Sequence, residues 1–454
     1  MKHDSQKLSF KHIMVLGSLL FGLFFGAGNI IFPVSLGQAA GDNVWVAVLS
    51  FILTAVGLPL LAIVAMGLSH SDSVIDMSQK ISKPYSYFFT VALYLTIGPF
   101  FATPRLATVS YEVGLSTLIP TNQQTVSLFI YSLIFYLLVL YFSLRPSGIL
   151  DWVGRYLNPT FLVLLGIIIV RAFLSKDPII STTAAIESYQ QTPISTGLLE
   201  GYNTMDLLAA LAFGIIIIRS IREMGVNQPE SVAKETVKSG VVSLAFMALI
   251  YVCLALLGSQ SMSYTELAPN GGVAIAMATQ HYFGLFGQIL LAAVMAIACL
   301  KTAIGLVVAL SETFSELFPR FLSQKAWTFI ATFISFLVAN IGLNEIIAYS
   351  SPVLMLLYPL AITLIILNLL EPLVHSRQIY QSVTAFTMVA AIFDMVKVLP
   401  APLSQWVQAD ALAETAESVL PFYAIGFGWV LPAMVGFIVG LYLTKRKSPS
   451  DSPI

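Results

Sequence analysis

Four stretches place polar or charged groups inside otherwise apolar runs, and these are the residues at which chemistry could be done. The first is FFGAGNIIFP over 24–33, where Gly26 and Gly28 flank Ala27, Asn29 follows at once and Pro33 lies one turn on. Two glycines, a turn-prone Asn and a helix breaker would interrupt a helix and release N–H and C=O groups able to bind an ion or a carboxylate. Close helix packing is the alternative, since Gly22 and Gly26 form a GxxxG pair. The second stretch is GYNTMDLLAALAFGIIII over 201–218, in which Gly214 interrupts a strong apolar run ahead of four isoleucines. Asp206 lies eight residues before Gly214, roughly 12 Å along a helix at about 1.5 Å per residue. That spacing puts it toward the outer mouth, as a gate or a cap on a half-helix, rather than at the binding point. The third stretch holds Arg105 after Pro104, with Glu112 seven residues later on nearly the same helix face, either as an ion pair or paired with neighbouring helices. The fourth is ACLKTAIGL over 298–306, where Lys301 sits near the middle of a long apolar run and its ammonium does not easily reach either surface. Asp151, Glu312 and the Asp394/Lys397 pair fall near span ends, where solvation or pairing suffices.

The elements that must position these groups follow from composition. Of 454 residues, 57% are hydrophobic and only 10% charged, against roughly 25% charged in an ordinary soluble domain. This excludes a soluble globular enzyme. A bilayer-spanning helix needs about 20 apolar residues, so the chain has room for about a dozen spans joined by short connections. Apolar windows place twelve helices at 13–36, 44–68, 85–118, 126–144, 152–174, 198–221, 241–258, 286–310, 327–341, 346–370, 379–398 and 420–443. The expected fold is therefore an all-α integral membrane protein with twelve transmembrane helices in a single transmembrane domain over 1–454. The N-terminus is basic and runs straight into an apolar stretch without a small-residue cleavage site, so it reads as a retained first span. Cys253 and Cys299 lie in apolar runs and read as buried small hydrophobes rather than a disulfide. His3, His12, His70, His281 and His375 are scattered over the tail and loops, so no transition-metal site is indicated. A net charge of −1 gives no basic footprint for nucleic acid.

An even span count puts both termini on one side. Loops on that side hold most of the Lys and Arg, including Lys80, Lys83, Arg145, Arg222, Lys234, Arg320, Lys325, Arg377, Lys445 and Arg446. The opposite loops clearly hold only Lys176, among Asp42, Asp177, Glu187, Glu266, Asp410, Glu414 and Glu417. The bias predicts cytoplasmic termini, with 444–454 as a cytoplasmic tail. The first and sixth spans are corresponding members of a five-plus-five arrangement, 13–174 and 198–370, and 379–443 supplies two additional helices. Interruptions at matched places in two halves point to an inverted-repeat transporter with its site at the midplane. Parallel six-plus-six repeats fit less well, because the last two spans carry no counterpart of the broken helices.

FFGAGNIIFP, GPFFATPRLATVSYEVG at 98–114, GYNTMDLLAALAFG and ACLKTAIGL, taken in order, resemble the bacterial branched-chain amino acid carriers, the leucine/isoleucine/valine:cation symporter family of the amino acid transporter superfamily. The resemblance spans essentially the whole chain. It implies import of leucine, isoleucine and valine across the bacterial plasma (inner) membrane, usually with sodium, on the leucine-transporter fold with helices 1 and 6 broken. It further implies that the substrate carboxylate meets N–H groups around Gly26, Ala27 and Gly28. The ammonium would meet carbonyls near Phe25 and around Ala212, Phe213 and Gly214, and the alkyl chain a dry pocket that Phe213 helps to line. In relatives with this fold a GxGN pattern places an Asn at one sodium site, which matches Asn29. A second cation site would use carbonyls of Gly22, Phe25 and Ala298 and the side chains of Lys301 and Thr302. Thr302 keeps the hydroxyl, but Lys301 departs from the uncharged residue expected. Lys301 is then a tethered cation that weakens sodium dependence or couples to protons, or it turns away and pairs with a carboxylate. No cofactor is expected beyond a coupling ion, Na+ or H+, and the partners are a small-molecule amino acid and the lipid bilayer. The runner-up is a carrier of the same fold for another small neutral amino acid or a nucleobase. A membrane-embedded enzyme lacks the paired acid and base or metal cluster it would need, and a channel lacks a filter motif.

Overall fold

The computed structural model describes residues 8–69, 71, 73–116, 119–145, 158–371 and 376–446. Asp151, His3, His70, His375, residues 152–157 of the fifth expected span and most of the 444–454 tail lie outside the described residues. Among the described residues all regular structure is helical. That is the outcome expected where apolar surroundings force every backbone N–H and C=O to be satisfied within its own segment.

The chain opens with α1 (Phe10–Phe24), breaks over 25–27 and resumes as α2 (Gly28–Ala40). A 3-10 turn at Gly41–Asn43 leads into α3 (Val44–Ile52), which passes through a π-helical stretch, Leu53–Gly57, into α4 (Leu58–Leu68). After α5 (Val74–Gln79), α6 (Lys83–Leu95) meets a second π-helical stretch, Thr96–Phe100. There Gly98 leaves helical geometry (φ −89°, ψ −119°), and the chain restarts as α7 (Ala102–Gly114). Then come α8 (Gln124–Ser143), α9 (Asn158–Phe173), α10 (Glu187–Gln191) and α11 (Pro193–Asn203). The second half comprises α12 (Asp206–Glu223), α13 (Pro229–Ser261), α14 (Gly271–Phe283), α15 (Leu285–Leu317), α16 (Gln324–Ala339) and α17 (Leu343–Leu369). The chain ends with α18 (Arg377–Lys397), the short α19 (Leu403–Trp406), α20 (Ala409–Val419) and α21 (Val430–Arg446).

Seven helical stretches among the described residues are long and apolar enough to cross a membrane, and α11 with α12 forms an eighth if the 42° bend between them lies within one span. Four shorter apolar helices, α1, α9, α16 and the Val430–Lys445 part of α21, fall below that length. The first expected span, 13–36, is divided by its break between α1 and α2: α1 alone falls short of a crossing, while α2 runs on with α3 and α4 as one long apolar stretch, Gly28–Leu68.

The core is built around α2. Its partners come so close that side chains are excluded: a Cβ on Gly37 would lie 1.9 Å from the Ala255 carbonyl oxygen of α13, and one on Gly258 would lie 2.1 Å from that of Val34. A Cβ on Gly271, at the start of α14, would lie 1.8 Å from the Ile31 carbonyl oxygen. Such backbone-to-backbone approach through small residues is the usual way helices associate in lipid, where apolar burial gives no driving force. It fixes α2, and with it the break at 25–27, against α13 and α14.

Candidate functional site

Three interruptions meet at one place. The first is the break at Phe25–Ala27, where FFGAGN reads as a broken helix in the sequence. Gly26 falls in the break itself, so Gly22 and Gly26 do not form one helical GxxxG face; Gly22 abuts the Asn158 side chain and Gly26 those of Leu106 and Thr302. The second break lies at Thr204–Met205, between α11 and α12, with Met205 in the left-handed region (φ 63°, ψ 14°). The interruption expected at Gly214 is not there, and α12 runs through that residue without a break. Gly214 instead makes room for Met66, whose methyl carbon would lie 2.2 Å from a Cβ at that position. The third interruption, at Gly98–Phe101 ahead of α7, was not foreseen, although a Gly-Pro dipeptide is a strong local breaker.

These breaks enclose a small cavity lined by Gly26, Ala27, Gly28 and Asn29 from the first, Thr204, Met205 and Asp206 from the second, and Ile97, Ala102 and Arg105 from the third. Phe24, Leu106, Ala209, Thr302 and Leu306 complete it. Its volume is ≈ 30 Å³, room for one or two waters, so an amino acid enters only as the surrounding helices part.

Asn29 and Asp206 join the first two breaks. The Asn29 Oδ1 accepts the Gly26 N–H at 2.8 Å, while its Nδ2 donates to Asp206 Oδ1 at 2.7 Å and Oδ2 at 2.9 Å, and to the Tyr251 hydroxyl. Tyr251, on α13, donates in turn to Asp206 Oδ2 at 2.5 Å. At 1% exposure Asp206 stands in the first turn of α12, at the start of the half-helix as one of its two expected placements had it, and it is also on the cavity wall rather than distant from it. A carboxylate is favoured there by the N-terminal end of the helix dipole. Tyr251 carries no signal in the sequence, since a tyrosine in an apolar helix most often serves packing. Thr204 and Asp206 carry one, since hydroxyl and carboxylate side chains mark helix starts, and the Thr204 hydroxyl accepts the Asp206 N–H at 3.3 Å.

The remaining candidates divide. Ala212 and Phe213 are fully buried away from the cavity lining: the Ala212 carbonyl accepts from the Tyr94 hydroxyl at 3.1 Å, and Phe213 packs on Phe24 with ring centres 5.8 Å apart. No ion pair joins Glu112 to Arg105 among the described residues. Thr302 donates to the Phe25 carbonyl at 3.3 Å, which brings together two members of the proposed cation site. Ala298 is fully buried one turn before it. Lys301, 0% exposed, points elsewhere: its Nζ donates to Asn158 Oδ1 at 3.0 Å and lies 4.3 Å from the Phe161 ring centre and 5.5 Å from that of Phe21. No carboxylate pairs with it among the described residues. Asn158 also donates to the Ser18 carbonyl at 2.8 Å and abuts Gly22, so the ammonium lies one residue removed from Gly22 rather than against Thr302.

Comparison with known proteins places this geometry. The pattern of a family described as "Branched-chain amino acid transport protein" matches residues 9–447. The chain is 48% identical to the branched-chain amino acid permease BrnQ of Lactobacillus delbrueckii subsp. lactis, over 96% of this chain and 97% of the relative. It is 40% identical to the branched-chain amino acid permease BraB of Bacillus subtilis (strain 168), over 99% and 98%. Among solved structures it resembles Mhp1, a nucleobase-cation-symport-1 family transporter, in a closed conformation with bromovinylhydantoin bound. The TM-score is 0.61 over 100% of this chain and 97% of that one, at 14% identity. At that identity the likeness speaks for the fold alone. Relatives named as permeases, together with the long apolar helices, make this a multi-pass membrane protein rather than an enzyme, and the chain belongs to the branched-chain amino acid transport protein family.

Proposed function

We propose that the protein imports leucine, isoleucine and valine across the bacterial plasma membrane by cation symport, through alternating access of the cavity at the helix breaks. The observation that carries this reading is the cavity itself: released backbone, one arginine and one aspartate enclosed in an otherwise apolar core, on helices matched by permease relatives over nearly their whole length. Charged groups so placed in a membrane protein mark a substrate or ion path. Phe24, Leu106, Ala209 and Leu306 offer the apolar wall a branched alkyl chain needs, and desolvation there disfavours charged side chains.

In this reading the twelve spans form a five-plus-five inverted repeat, 13–174 and 198–370, with 379–443 as two further helices and both termini cytoplasmic. The coupling cation, Na+ or H+, sits where Thr302 meets the Phe25 carbonyl, with Gly22, Ala298 and Asn29 nearby. Lys301 acts on that site through Asn158 and Gly22. The test is leucine uptake into proteoliposomes driven separately by sodium and by proton gradients, in wild type and Lys301→Thr. Gradient-driven leucine uptake that valine and isoleucine compete away, and uracil does not, supports the function; absence of any leucine uptake overturns it. Sodium-driven uptake in both proteins makes Lys301 structural, whereas sodium dependence that appears only in the variant places its charge at the ion site.

A further inference from the structure

Arg105 marks the cavity in the reading above but is given no partner there, and it is the least satisfied charge in the cavity. It is 4% exposed and lines the cavity, and no acceptor among the described residues takes any of its five N–H donors. Its side chain lies over the Phe32 ring, 5.2 Å from the centre, and its Nη2 would lie 3.0 Å from a Cβ on Gly28. A guanidinium stays charged at any attainable pH, and its fork matches a carboxylate. Asp206 attracts it from across the cavity, but no carboxylate of the described residues lies within ion-pairing distance, so its hydrogen-bonding fork is left open to an incoming anion.

The backbone around it asks for the same thing. Both α2, starting at Gly28, and α7, starting at Ala102, aim their N-termini at the cavity, and neither has an acidic residue in its first turn. First-turn N–H groups and the positive end of the helix dipole favour an anion there. The third N-terminus, that of α12, differs in carrying Asp206. Asn29 and Tyr251 make three hydrogen bonds to that carboxylate, which has room for about four. Arg105 and Asp206 both line the cavity, and no ion pair joins them.

We infer that Arg105 receives the α-carboxylate and Asp206 the α-ammonium of the transported amino acid, so that the site reads a zwitterion as well as an alkyl chain. The inference rests on the proposed function for its substrate class and assigns the two charged ends to named side chains. A neutral receptor of one positive and one negative group takes up a neutral zwitterion without leaving net charge buried. A ligand missing either end leaves one protein charge exposed to an apolar wall.

The test uses the purified full-length protein and three probes: leucine, leucinamide, which lacks the carboxylate, and 4-methylpentanoate, which lacks the ammonium. Wild type should prefer leucine over each analogue by at least about a hundredfold. Arg105→Gln should lose leucine affinity by a similar factor while leucinamide binding changes less than about threefold, and Asp206→Asn should do the same with 4-methylpentanoate spared. A general structural defect would lower all three ligands together and preserve the ratios, which overturns the assignment. Should the variants not fold, the wild-type panel decides alone: analogues that bind within about threefold of leucine overturn it. If leucine fails to bind but another neutral α-amino acid does, the substrate reading falls and the same panel, built on that amino acid, tests the two charges. A protein that binds no zwitterion overturns both.

Discussion

Gly28→Ala separates the cavity from the fold that surrounds it. A Cβ at this position would lie 3.0 Å from Arg105 Nη2 and 3.3 Å from Phe32 Cε2, where ordinary contact begins at 3.4 Å. The deficits are 3.4 − 3.0 = 0.4 Å and 3.4 − 3.3 = 0.1 Å, and both fall on side-chain ends rather than on backbone. Arg105 can yield 0.4 Å by leaving its rotamer minimum, at a cost of about 0.5–1.5 kcal/mol, so the variant should fold and melt close to wild type in detergent. The carboxylate position has no such slack, because the methyl group sits between the guanidinium and the start of α2, where the carboxylate belongs. We expect leucine affinity to fall at least tenfold, about 1.4 kcal/mol. The assay is equilibrium binding of radiolabelled leucine beside a thermal melt, with Gly166→Ala as control because nothing lies within 4 Å of that position. Wild-type leucine affinity in a well-folded Gly28→Ala protein would refute the placement of substrate at this break.

Three further outcomes follow from the packing. Gly37→Ala sets a Cβ 1.9 Å from a backbone oxygen of α13 that cannot swing aside; overpacking of this kind costs about 1–3 kcal/mol or more, so the yield of folded protein on size exclusion should collapse, and a normal monodisperse peak would contradict the close α2–α13 contact. Asn158→Ala removes the hydrogen bond to the Lys301 ammonium at 3.0 Å and leaves that charge with only the two rings, a loss of about 1.5–3 kcal/mol. Asn158→Ala with Lys301→Met should recover part of the melting temperature, because removing both partners is cheaper than stranding one; a double variant less stable than either single one would argue against the contact. Tyr251→Phe deletes the donor to Asp206 Oδ2 at 2.5 Å and an acceptor for Asn29. Uptake and melting temperature should both drop, and an unchanged pair of values would show the hydroxyl to be idle.

What the sequence made legible, and what it hid, divides by the range of the interactions involved. The break at 25–27 could be read because its cause is local: Gly26, Gly28 and Asn29 lower the cost of leaving the helix within four residues. The helical class was equally legible, because hydropathy is summed over each segment alone. The bounds of the spans were harder to read, since an apolar window passes over a break without registering it, and 13–36 falls in the structure on two helices, α1 and α2. The second break was misplaced for a physical reason. Gly214 looked like the weak point, but a glycine in a helix costs only about 1 kcal/mol, and here its missing side chain is used by Met66.

The true break at Thr204–Met205 has no glycine at all. It is held by Asp206, Asn29 and Tyr251, which are 177 and 45 residues from Asp206 along the chain, and no local window sees them together. The same holds for Lys301, whose partner Asn158 is 143 residues away. Charge rarity pointed to Arg105, Glu112, Asp206 and Lys301 as candidates, and two of those four line the cavity. It could not tell them apart, because rarity measures the cost of burial and says nothing of direction. Direction comes from which helix ends the chain gathers at one point. Arg105 and Asp206 stand at gathered N-termini with hydrogen-bonding capacity left over. Lys301, in mid-helix, has an amide and two rings of its own.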